Sequence, residues 1–186
     1  MTGHVATAEI EISASPDQVW SALTEPDQIE KYMFGSRVET DWQPGSPIVW
    51  KGEYEGKRYE DKGEIVEVEP KRRVKVTHFS PMSGLEDVPE NYHTLLYELD
   101  EHDGQTRVSL SQDGNATEEA ARHSKANWQK MLSGLKDVLE GPRPSRDHSP
   151  GSSRSRASTI VVTAGPVGKK HVAWLFMRHL GPVCSA

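Results

Sequence analysis

Residues 117–140, TEEAARHSKANWQKMLSGLKDVLE, decide the fold. Ala121, Ser124, Trp128, Met131, Leu132, Leu135, Val138 and Leu139 recur at steps of three and four, the spacing that gathers side chains onto one helical face. Thr117 can cap the start, Glu118 and Glu119 suit the positive end of the helix dipole, and Gly141-Pro142 ends the pattern. The predicted helix therefore carries a single apolar stripe about 35 Å long at 1.5 Å per residue. A stripe that long and that one-sided, with an indole at mid-length, needs an extended apolar surface to lie on. A curved sheet supplies one.

The preceding chain has the pattern of such a sheet. His4–Ser13 alternates, with Ala6, Ala8, Ile10 and Ile12 on one face and Thr7, Glu9 and Glu11 on the other, as in a half-buried strand. Ser15-Pro16-Asp17-Gln18 starts a helix: Ser15 caps, Pro16 fits the first turn and Gln18 completes a capping box. Val19, Trp20 and Leu23 form its apolar stripe. Pro26 opens a second short helix anchored by Ile29, Tyr32 and Met33. Strands are then predicted at Ser36–Thr40, Ser46–Glu53, Lys57–Glu69, Arg73–Phe79, Tyr92–Asp100 and Thr106–Gln112. Between them lie the turn signals Gln43-Pro44-Gly45, Glu55-Gly56, Glu69-Pro70 and Asp103-Gly104, and a longer loop at Ser80–Asn91. No long helical pattern interrupts these strands, so the sheet is expected to be antiparallel and the class α+β.

Alternation also predicts a register. Pairing Val74 with Tyr97 and Val76 with Leu95 sets apolar against apolar and brings His78 opposite His93. Extending the same reasoning to the next strand sets Val108 against Tyr97, Leu110 against Leu95 and Gln112 against His93. The expectation is a polar row, His78–His93–Gln112, at one end of a concave apolar face. Such a row reads as the polar fixtures of an apolar ligand pocket, or as rim residues satisfied by water and by each other. Metal binding is the weakest of the readings: the nearest carboxylates by strand order are Glu64 and Glu67, and no helix carries a His-x-x-x-His spacing. Of the aromatic residues, whose default role is core packing, Trp50, Tyr97 and Trp128 are expected to border a gap between helix and sheet, together with the adaptable Met131.

Composition limits the alternatives. The 186-residue chain carries a net charge of −6, divided into −12 over residues 1–140 and +6 over residues 141–186. An acidic body disfavours nucleic-acid binding. Nothing at Met1–Ala8 has the form of a signal peptide, and no apolar run approaches the roughly 18 residues that cross a bilayer. The single cysteine, Cys184, excludes an internal disulfide framework and a cysteine-based zinc site. These features fit a cytoplasmic protein that needs no cofactor. Pro142–Ser158, rich in Pro, Ser and Arg, opens a basic tail expected to be disordered over residues 142–186, beyond a domain spanning residues 1–141.

Three further segments carry a resemblance. Trp42-Gln43-Pro44-Gly45-Ser46-Pro47-Ile48 with Trp50-Lys51-Gly52 looks like a second hairpin, Gly63–Arg73 like a central strand and turn, and Asn127-Trp128 with Leu132 and Leu135 like a closing helix. Together they resemble the SRPBCC superfamily, in the branch named after the C-terminal domain of the heat-shock-protein-90 ATPase activator, over about residues 5–140. The resemblance implies a helix-grip (START-like) fold, with two short helices between the first and second strands. It also implies a cavity between sheet and helix that takes hydrophobic ligands.

Three functions are then open. The first is binding of a small apolar molecule by Trp50, His78, His93, Tyr97, Gln112, Trp128 and Met131. The second is a cochaperone-like domain that docks a protein partner. The third is a cyclase- or hydrolase-type enzyme in which His78 and His93 supply the acid or base. No nucleophile elbow or phosphate loop is present in the sequence, which favours binding over catalysis.

Overall fold

The computed structural model describes residues 3–54 and 56–141. Seven antiparallel strands form one sheet in the order β1-β7-β6-β5-β4-β3-β2. They are β1 (His4–Ile12), β2 (Arg37–Glu39), β3 (Pro47–Tyr54), β4 (Lys57–Glu69), β5 (Arg73–His78), β6 (His93–His102) and β7 (Gln105–Asn115). Helices α1 (Pro16–Thr24) and α2 (Pro26–Tyr32) lie between β1 and β2, and α3 (Glu118–Glu140) closes the fold. This is the helix-grip architecture. The expected tail, with Cys184, lies outside the described residues, as does Glu55 of one predicted turn.

The helix starts follow from local chemistry. The Ser15 hydroxyl accepts from Gln18 N while the Gln18 side chain accepts from Ser15 N, the reciprocal pair that satisfies two orphan donors of α1. The Thr117 hydroxyl accepts from Ala120 N at 3.1 Å at the start of α3. The α3 stripe then buries Trp128, Met131, Leu132 and Leu135 against Ile12, Ile65, Val108 and Leu110 of the sheet. One flank of the helix is tied to β1: Gln129 Nε2 donates to Glu9 O at 3.0 Å, and Lys136 donates to Glu11 O.

Curvature originates in β4. Its first half pairs with β3 and its second half with β5, so one 13-residue strand turns the sheet. Gly63 sits at that corner, where a Cβ would lie 1.8 Å from Thr77 O; only glycine admits this approach of backbone to backbone. A register shift between Ile65 and Glu67 adds a bulge directly after the corner.

The β5–β6 register is as expected: Val74 faces Tyr97, Val76 faces Leu95 and His78 faces His93. The β6–β7 register is not. Leu99 faces Val108, Tyr97 faces Leu110 and Leu95 faces Gln112, two residues away from the expected pairing. The cause is the turn. The strands run on to His102 and Gln105, joined by a two-residue loop in which Asp103 and Gly104 have φ of 50° and 74°. That loop fixes the register more firmly than matching of apolar residues does. A slide of two keeps every side chain on its predicted face, but it breaks the expected row, because Gln112 no longer faces His93.

Candidate functional site

Between the sheet, α3 and the residues after α2 lies a cavity lined by Met33, Phe34, Ser36, Trp50, Tyr59, Asp61, His78, Leu95, Tyr97 and Trp128. Its enclosed space is about 30 Å³, room for about two water molecules. With its open mouth it spans about 540 Å³. A second void of about 40 Å³ shares Met33, Trp50 and Tyr97 with it, so these three side chains form the partition between the two. Four predicted residues, Trp50, His78, Tyr97 and Trp128, border the first cavity.

The other three are placed elsewhere. Met131 is 1 % exposed and packs in the core beneath the helix. Gln112 is buried and accepts from the Trp128 indole, Nε1 to Oε1, at 2.8 Å, so it positions an indole of the wall and is not part of the lining. His93 is half-buried, and its Nδ1 donates to Asp113 O at 3.0 Å while the ring covers Gly114. Burial holds its imidazole below the usual histidine range, against the opposing pull of the Asp113 carbonyl.

The polar centre of the cavity is a pair that sequence reasoning half missed. His78 Nε2 lies 3.2 Å from Asp61 Oδ2, and both residues are buried. The edge of one ring of the Trp50–His78 pair meets the other at a centroid distance of 5.1 Å. Asp61 Oδ1 has no hydrogen-bond partner. The carboxylates Glu64 and Glu67 that strand order suggested are not in the lining, and Glu67 instead pairs with Arg73 at 3.4 Å. The signal for Asp61 was available: it shares parity with Gly63 and the core residue Ile65, so it must face inward. What alternation could not provide was the bend at Gly63, which swings Asp61 towards His78. Beside this pair the hydroxyls of Ser36 and Tyr59 share a hydrogen bond at 2.5 Å. Burial pushes the Tyr59 phenol up, and pushes that of Tyr97 up further.

A carboxylate-held imidazole facing an apolar space can orient a polar group of a guest and can hold or release a proton. Among the described residues, no group of three or more His, Cys, Asp or Glu side chains is placed to hold a metal ion. No helix among them is long and apolar enough to cross a membrane.

The chain is similar to several proteins of known structure. A protein from Cytophaga hutchinsonii, ChR145, is 45 % identical, with 75 % of this chain covering 97 % of that one at a TM-score of 0.67. The Aha1 dimer from Colwellia psychrerythraea shares the fold at 23 % identity, with 74 % and 97 % coverage and a TM-score of 0.59. CalU16 from Micromonospora echinospora shares it at 19 % identity, with 76 % and 88 % coverage and a TM-score of 0.56. No curated protein matches the chain. The family model described as Activator of Hsp90 ATPase homolog 1-like protein matches residues 13–140. With that match over most of the chain and a 45 % identical relative, this protein belongs to the Activator of Hsp90 ATPase homolog 1-like family, a branch of the SRPBCC superfamily.

Proposed function

We propose that this domain holds a small, mainly apolar molecule between α3 and the concave face of the sheet, with Trp50, Tyr97 and Trp128 as walls and His78 with Asp61 as the polar end. The observation that carries the reading is a void bounded by aromatic side chains that also contains a buried polar pair, the composition of a ligand site and not of a repacked core. Gln112 supports the wall from outside by accepting from the Trp128 indole. Neither enclosed space takes a benzene-sized guest, and a guest of that size also occupies the open mouth of the first cavity. Met33, a flexible thioether in the partition, is the side chain whose rotation would merge them. Titration of the ¹⁵N-labelled protein with toluene tests this. Saturable shifts at the indole N–H signals of Trp50 and Trp128, lost in Met33→Trp, support it; no saturable shift at either indole contradicts it.

A second reading has the family description in its favour: stimulation of the ATPase of an Hsp90-type chaperone by direct docking. An acidic body suits a basic partner surface. A rise in chaperone ATPase rate on adding the protein would support it, and an unchanged rate at saturating protein would remove it.

A further inference from the structure

We infer that the guest carries one neutral hydroxyl, phenolic or alcoholic, whose hydrogen is accepted by Asp61 Oδ1. This rests on the apolar-ligand reading and specifies its polar end. Asp61 is 4 % exposed and faces the cavity. Its Oδ2 is occupied by His78. Its Oδ1 is the one buried side-chain oxygen or nitrogen among the described lining residues that has no hydrogen-bond partner. A buried carboxylate oxygen without a donor is costly, and a guest that brings a donor removes that cost on binding.

The donor count selects the guest. A hydroxyl brings one hydrogen, which matches one open acceptor. An ammonium brings three, and with them a full charge that must give up its water, a far larger cost than a hydroxyl's. The hydroxyls of Ser36 and Tyr59 share one hydrogen bond, which uses one of their two hydrogens, so the other can donate to the oxygen of a guest hydroxyl. A guest with no donor fills the aromatic space but leaves Oδ1 as it is.

Phenol and toluene provide the test, because they have nearly the same shape and differ in the donor. In a purely apolar pocket toluene binds better, since the phenol hydroxyl loses its water. The inference requires the opposite order: phenol at least about tenfold tighter than toluene, the scale of a hydrogen bond to a charged group. Affinities are read by NMR titration on the indole signals of Trp50 and Trp128. Asp61→Asn, which keeps the shape, should reduce the phenol preference at least about threefold, and Asp61→Ala should reverse the order. Should neither variant fold, the order in the wild-type protein still decides. Equal binding, tighter toluene, tighter benzylammonium than phenol, or a preference indifferent to Asp61 overturns the inference while leaving the apolar-ligand reading intact. Binding of neither probe overturns both.

Discussion

The indole of Trp128 donates to Gln112 Oε1 at 2.8 Å, and this bond joins the middle of the gripping helix to the adjacent strand at the cavity wall. Both partners are buried. Gln112 is held in turn by Asn115, whose Nδ2 donates to Gln112 O at 3.1 Å and whose Oδ1 accepts from Ser124 at 2.8 Å. Gln112→Leu leaves the indole N–H buried without its acceptor and should cost about 1–3 kcal/mol. Urea unfolding measures this; a loss under about 0.5 kcal/mol would mean that the bond does not anchor α3.

The corner at Gly63 makes a stronger demand. Gly63→Ala brings a methyl group against the Thr77 carbonyl, which is backbone and cannot rotate away. The expected loss is about 2–3 kcal/mol or more, as for a severe overpacking substitution. Because the corner sets the approach of Asp61 to His78, a variant that still folds should also show a changed His78 ring signal by NMR. An alanine variant with wild-type stability would show that the sheet bends elsewhere.

His93 predicts a pH dependence. Its folded-state pKa lies below the ordinary value of about 6.5, first because burial disfavours the charged ring. As pH falls through about 6.5 the unfolded chain takes up the proton first, so it holds more protons than the native state and stability declines. The decline continues down to the folded-state pKa and then stops. His93→Gln should flatten this part of the stability–pH curve relative to the wild-type protein. Parallel curves for the two proteins between pH 7 and 5 would contradict the assignment.

The elements were legible because each is announced locally. The α3 stripe, the Ser15–Gln18 capping box and the alternation of β1 depend on near neighbours in the chain and survive intact in the fold. Faces were legible too, since a strand has only two. The expected polar row failed because register is a property of a turn. The two-residue Asp103–Gly104 loop moved Gln112 from His93 to Leu95, where it serves Trp128. Asp61 was missed for a related reason: its inward parity can be read from the strand, but its meeting with His78 across 17 residues depends on the bend at Gly63. Met131 was on the correct face yet deeper than expected, because helix parity does not say how far a side chain lies from the edge of a cavity.

Whether an apolar guest sits inside the grip is read from intermolecular nuclear Overhauser contacts to bound toluene. Bound toluene should show contacts to Leu95 and Tyr97 on β6 and to Trp128 on α3, which line the cavity from the sheet and from the helix. Contacts confined to exposed apolar side chains such as Val5 or Val66, with none to Trp128, would contradict it.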